Sequence, residues 1–134
     1  MEAEAALRLG RIGFDNVAGY LDNGLRALKD REELLTYTPQ TSGAAVTRWI
    51  GEPDAPFVLD VRTQSEWQQR HIDGSTNIPL NRLREHLNEI PRNRPVIAMC
   101  AGGYRSSMAA SLLQCAGFTR VSELTGGMAA VPAA

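Results

Sequence analysis

Cys100 ends the apolar run Val96-Ile97-Ala98-Met99 and is followed by Ala101-Gly102-Gly103-Tyr104-Arg105-Ser106. A thiol placed where a buried strand meets a helix N-terminus lies among backbone N–H groups that favour the thiolate, its nucleophilic form. The two glycines let successive amides turn inward through conformations that side chains resist, so the loop can cradle an anion. Arg105 adds a permanent charge and a planar fork of donors, suited to a sulfur or phosphorus oxyanion held in front of Cys100. A lone cysteine after an apolar strand is ordinarily a small buried hydrophobe. The Gly-Gly and Arg surroundings argue instead for a nucleophile.

The elements that must position this loop follow from periodicity. Ser42 can cap a helix running to Ile50, which Gly51-Glu52-Pro53-Asp54 breaks, and Phe57 to Val61 reads as a buried strand. Thr63 with Glu66 three residues later forms a capping-box pattern for a short helix around Glu66 to Arg70. Ile78-Pro79 suggests a brief extended piece. Leu83, Leu87 and Ile90 lie on one face of the next helix, stopped by Pro91, and Val96 to Met99 is the next strand. Past the loop, Met108, Leu112 and Cys115 or Ala116 keep helical spacing until Gly117, and Val121 to Leu124 forms a last strand. This alternation predicts an α/β fold with a mostly parallel sheet. Reactive groups in such sheets gather at the carboxyl ends of the strands, where Cys100 falls.

Composition narrows the class of function. The chain has 134 residues, 43% apolar and 22% charged, enough for one globular unit with a core of its own. A net charge of −1 supplies no basic surface for nucleic acid, and no apolar run is long enough to span a bilayer. Met1 to Ala6 lacks the basic start and apolar centre of a signal peptide, and two cysteines are too few for a disulfide framework. A reducing, cytoplasmic setting is expected.

Leu59-Asp60-Val61-Arg62 with Glu66, then His71-Ile72-Asp73-Gly74-Ser75 and Asn77-Ile78-Pro79, then the Cys100 loop with Gly103, Arg105 and Ser106, and finally Leu124-Thr125-Gly126-Gly127-Met128 follow one another in this order and spacing. Together these fragments resemble the rhodanese family of sulfurtransferases, over roughly Thr41 to Val131. Arg70 stands where the family usually has glycine. Val131-Pro132-Ala133-Ala134 ends the sequence where a tryptophan commonly follows, which suggests trimming. The resemblance implies a rhodanese-like fold, a central mostly parallel sheet of about five strands flanked by helices on both faces.

On this resemblance Cys100 would attack the sulfane sulfur of thiosulfate or a low-molecular-weight persulfide, become a persulfide, and pass the sulfur to a thiol or cyanide acceptor. Backbone N–H groups of Ala101, Gly102, Gly103, Tyr104, Arg105 and Ser106 would stabilise the thiolate and the persulfide anion, and Arg105 would orient the donor's anionic end. Four residues separate Cys100 from Arg105, as in sulfur-transferring members of this fold. The related dual-specificity phosphatases place one more there, a wider cradle for a phosphoryl group. Two alternatives stand beside sulfur transfer: an anion- or persulfide-binding regulatory module without turnover, and phosphatase-like chemistry on the same fold.

Other residues take supporting or bland roles. Asp60 and Arg62 resemble a structural pair that orients the loops. His71 reads as a turn and packing residue, His86 as solvated, and Tyr104 as either at the mouth of the site or packed on a neighbouring loop. Cys115, fifteen residues after Cys100, is placed on the buried face of its helix. No metal-ligand spacing is present, and no cofactor is expected.

Residues 1–40 precede the rhodanese-like unit, taken as 41–134, yet echo its end. Gly13-Phe14-Asp15-Asn16-Val17 through Asn23-Gly24-Leu25-Arg26-Ala27 parallels Gly117-Phe118-Thr119-Arg120-Val121 through Gly126-Gly127-Met128-Ala129-Ala130 with a one-residue gap. This reads as the tail of an upstream, degenerate rhodanese-like module. The string Arg11 to Leu21 also resembles the linker of proteins that join a metallo-β-lactamase-like persulfide dioxygenase to rhodanese modules, implying a covalently fused partner of that kind in a parent protein.

Overall fold

The computed structural model describes residues 2–10 and 16–132. The chain divides into two units, Met1–Tyr37 and Thr38–Ala134. The first holds α1 (Glu2–Gly10) and two short 3-10 turns, Gly24–Leu28 and Glu32–Leu34. In its first turn, Asn23 and Gly24 carry φ values of 60° and 57°. The second unit repeats this device: Gly126 and Gly127, at 71° and 58°, open the 3-10 turn Gly127–Ala130. These positions are paired in the sequence echo. The Gly13 to Asp15 part of that echo and the Arg11 to Asp15 part of the linker-like string lie outside the described residues.

In the second unit, in chain order, β1 (Gln40–Thr41), α2 (Gly43–Trp49), β2 (Phe57–Asp60), α3 (Gln64–Gln69), β3 (Thr76–Asn77), a 3-10 segment (Leu80–Glu89), β4 (Val96–Met99), α4 (Tyr104–Cys115) and β5 (Val121–Leu124) build one five-stranded sheet with its crossovers. The strand order is β1-β5-β4-β2-β3, with every neighbouring pair parallel. Parallel strands all present their carboxyl ends at one edge, so central β4 delivers Cys100 to the middle of that edge.

Side chains alternate across the sheet and build a core on each face. Leu59, Val96, Ala98 and Cys100 pack with Leu83 and with Ala109, Ala110 and Leu113 of α4. Val58, Ile97 and Met99 point the other way, toward Val46 of α2 and Met128. Ser42 caps α2 by accepting from the Ala45 amide at 3.2 Å. Thr63 and Glu66 form the expected reciprocal box at the start of α3. Gly117, at φ 86°, follows α4 where the helix stops.

Three local features differ from the sequence expectation. The buried face of α4 is Ser106, Ala109, Ala110 and Leu113, while Met108 is exposed. Cys115 is exposed as well, which corrects its placement in the core. Small residues let the helix approach the sheet closely, and that close approach outweighs the spacing of the larger apolar side chains. Leu80–Glu89 is 3-10 and broken at His86, with Leu83 its buried residue, rather than one regular helix. Strand β1, short and polar, was invisible to periodicity; it forms because the Glu123 and Thr125 amides donate to Pro39 and Thr41 carbonyls, both at 2.9 Å. A domain boundary between residues 40 and 41 would cut this strand. Among the described residues, no helix is long and apolar enough to cross a membrane.

Candidate active site

Cys100 is 1% exposed and its Sγ accepts a hydrogen bond from the Gly103 amide at 3.1 Å. The loop can aim that amide inward because Gly103 sits at φ 110°, a conformation that a Cβ resists. Of the two loop glycines only Gly103 needs this freedom. Burial pushes the thiol up, but the Ser106 hydroxyl and the amides of Ser106, Gly103 and Gly102 outweigh it and hold Cys100 below its ordinary range. The sulfur is therefore a buried thiol beneath inward-turned donors, with exposed Ala101, Gly102 and Tyr104 forming the rim.

Ser106 is fully buried on the first turn of α4. Its Oγ lies 3.6 Å from Cys100 Sγ, 2.8 Å from the Gly103 carbonyl oxygen and 3.2 Å from Oε2 of Glu123, a residue of β5 that is 8% exposed.

The strand-to-loop junction is clamped from the far side. The Met128 amide donates to the Cys100 carbonyl at 2.8 Å. A Cβ on Gly127 would fall 2.3 Å from that oxygen and 2.5 Å from the Ala101 carbonyl oxygen, so glycine is required by close approach as well as by positive φ. This gives the Gly126-Gly127 pair a physical role at the nucleophile.

Arg105 meets Glu66 in a two-pronged ion pair, with both terminal nitrogens 2.7 Å from carboxylate oxygens. Glu66 also accepts from the Thr63 hydroxyl at 2.8 Å and the Thr63 amide at 3.0 Å. The Arg105 guanidinium is the main cause that holds the Glu66 carboxyl down at about 2, against the opposing effect of burial. Both terminal guanidinium nitrogens, expected to face the donor's anionic end, are committed to this intramolecular partner. The Arg105 pKa is raised chiefly by its Glu66 partner, against the opposing effect of burial, and in smaller part by the charges of Cys100 and Asp60.

Asp60 and Arg62 form a buried pair, Nη2 to Oδ2 at 2.6 Å, and the Arg62 amide donates to Oδ1 at 3.0 Å. Arg62 also donates to the Arg70 carbonyl at 2.7 Å, while Asn77 Nδ2 donates to the carbonyls of Asp60 and Arg62 at 2.9 Å each. This network fixes the exit of β2, from which α3 and Glu66 depart. His71 stacks on Trp67 with ring centres 4.0 Å apart, and His86 pairs with Glu89 at 2.6 Å. Tyr104 is exposed. Among the described residues, no cluster of three or more His, Cys, Asp or Glu could hold a metal ion.

Glu66, Glu123 and Gly127 belong to the site but were not singled out for it by sequence. Glu66 was legible as a cap and Gly127 as part of a family fragment. Nothing local to Val121–Leu124 marks Glu123 as facing the nucleophile.

The arrangement can stabilise a thiolate and, one atom further out, a persulfide or another small anion. The family model of the rhodanese-like domain matches residues 42–134. A protein named sulfurtransferase from Allochromatium vinosum is 29% identical over 86 residues, covering 64% of this chain and 80% of its own length. YqhL of Bacillus subtilis, an uncharacterized protein, is 40% identical over 70 residues, covering 52% of this chain and 56% of its own. YrkF of the same organism, provisionally named a sulfur carrier protein, is 32% identical over 90 residues, so the chain spans about half the length of these two Bacillus relatives. A rhodanese-like domain protein of Staphylococcus aureus superposes with a TM-score of 0.66 at 25% identity, over 71% of this chain and 92% of that one. The parallel sheet, the strand-end cysteine and the amide-lined loop accompany that match, and the chain belongs to the rhodanese-like domain family.

Proposed function

We propose that this chain is a sulfurtransferase domain that moves a sulfane sulfur from thiosulfate or a low-molecular-weight persulfide to a thiol or cyanide through a Cys100 persulfide. The observation that carries the reading is the Gly103 amide 3.1 Å from Cys100 Sγ, on a thiol held below its ordinary range. With thiosulfate, the Cys100 thiolate attacks the outer sulfur, the S–S bond of the donor breaks, and sulfite leaves with the bonding pair. The new terminal sulfur is an anion in the same cradle, and the amides of Ala101 to Ser106 serve it as they served the thiolate. Attack by cyanide on that sulfur releases thiocyanate and returns the thiolate. Asp60 and Arg62 support the loops, and Arg105 supplies the positive charge beside the reacting sulfur.

We further propose that the segment preceding β1 is the tail of an upstream rhodanese-like module. Support comes from the repeated pair of positive-φ residues at Asn23-Gly24 and Gly126-Gly127, each opening a 3-10 turn. A fused persulfide-oxidising domain in a parent protein rests on the Arg11 to Leu21 resemblance alone, and a cytoplasmic setting on composition.

Thiocyanate production from thiosulfate and cyanide tests the reading. The wild-type chain should turn over and Cys100→Ser should not, while its circular dichroism stays native. Hydrolysis of an aryl phosphate without any thiocyanate would replace sulfur transfer with phosphatase-like chemistry.

A further inference from the structure

Buried Glu123 has no evident part in the proposed sulfur transfer, yet its carboxylate reaches the nucleophile through one hydroxyl. Ser106 Oγ has one proton and three neighbours able to accept it: the Gly103 carbonyl at 2.8 Å, Glu123 Oε2 at 3.2 Å and Cys100 Sγ at 3.6 Å. If the hydroxyl serves Gly103, then Oε2 is satisfied only when Glu123 carries a proton and donates it to Ser106. If Glu123 is a carboxylate, it takes the Ser106 proton and the thiol must donate to Oγ. A thiolate that receives the Ser106 proton therefore competes with the Glu123 carboxylate for it. One hydroxyl proton serves one of these acceptors at a time, so the arrangements exclude one another, while the Gly103 carbonyl keeps the Ser107 amide as a donor at 3.1 Å in each.

We propose that Glu123 is a positioning residue for Cys100, coupled to it through the Ser106 hydroxyl, whose single proton either the carboxylate or the sulfur can take. The exchange conserves atoms and charge. The thiol S–H bond breaks as its proton passes to Ser106 Oγ, and the Ser106 proton passes to Glu123 Oε2. Thiol and carboxylate thus become thiolate and carboxylic acid, with no oxidation. The reverse exchange reprotonates Cys100 when the sulfur has been handed on. This use in turnover rests on the sulfur-transfer reading, whereas the coupling itself does not.

The other charged groups on the elements around the pair are held by partners or turned to solvent. Arg105 on α4 is bound by Glu66, Asp60 on β2 is bound by Arg62, β1 contributes only Gln40 and Thr41, and the Leu80–Glu89 segment packed on α4 carries His86, paired with Glu89, and Arg82, Arg84 and Glu85, all three exposed to solvent.

The test is the pH dependence of Cys100 alkylation by iodoacetamide in a Cys115→Ser background, which removes the exposed competitor thiol. Glu123→Gln imitates the protonated acid and cannot ionise, so the apparent midpoint should fall by about one pH unit, a roughly tenfold larger thiolate fraction below it. With Ser106→Ala present, the same Glu123→Gln change should move the midpoint far less, since the link is cut. An unmoved midpoint in Glu123→Gln, or an equal shift with and without Ser106, would overturn the proposal. Should Ser106→Ala fail to fold, the Glu123 carboxyl carbon resonance of the wild-type chain decides. Coupling requires a second inflection at the Cys100 midpoint, and a single inflection elsewhere contradicts it. These readouts need no turnover, so sulfur transfer can fail while the coupling stands, and the reverse.

Discussion

Arg105 and Glu66, 39 residues apart in sequence, join through two parallel contacts of 2.7 Å and so tie the first turn of α4 to the first turn of α3. Each helix start bears on the site: α4 follows the cradle, and α3 follows the Asp60–Arg62 network. The ion pair therefore locks the loop around Cys100 against the exit of β2. A fork that meets a carboxylate with both prongs fixes orientation as well as distance, which a point charge does not.

The pair gives stability a particular pH dependence. Glu66 is held at about 2 in the folded chain, chiefly by Arg105, against an ordinary value of 4.5. A depressed folded pKa contributes stability that is fully present above 4.5 and is lost as pH falls toward about 2. Because the two side chains are about one-third exposed, solvent screening limits the contribution to about 1 kcal/mol. Urea unfolding across that acid range should show a shallower loss of stability in Glu66→Gln than in the wild type. Parallel curves would remove the pair from the acid transition.

Arg105→Lys keeps the charge near Cys100 and loses the fork. We expect the KM for thiosulfate to rise several-fold with a smaller change in kcat, because the loop is less well held and the remaining charge less well aimed. Steady-state rates of thiocyanate formation measure both constants. If neither moved, the fork would have no part in donor binding or alignment.

Much of this site was legible because its pieces are local. The apolar run into Cys100, the glycine that turns an amide toward it and the Thr63–Glu66 box each occupy a few consecutive residues, and each formed where its chemistry demanded. What escaped the sequence joins residues across the sheet. Glu66 was read as a cap and not as the partner of Arg105, and Glu123 meets Ser106 only because β5 lies beside β4. Cys115 was misplaced for a related reason: the side of α4 that faces the sheet was chosen by close packing of Ser106, Ala109 and Ala110, which an apolar periodicity weighted toward large side chains does not detect.

Gly127→Ala tests the clamp behind the nucleophile. Its Cβ would collide with two carbonyl oxygens of the Cys100 loop, and its φ of 58° is itself unfavourable for alanine. We expect a loss of about 2–3 kcal/mol in chemical unfolding, together with reduced turnover as the Cys100 carbonyl is displaced. Wild-type stability in this variant would mean that the backbone there has room the structure does not show.

Intact mass after exposure to thiosulfate, in a Cys115→Ser background, tests the central claim most directly. A chain with Cys100 should gain about 32 Da, one sulfur atom, and lose it on addition of cyanide, while Cys100→Ser gains nothing. No gain with either thiosulfate or glutathione persulfide, or an equal gain in Cys100→Ser, would contradict a Cys100 persulfide.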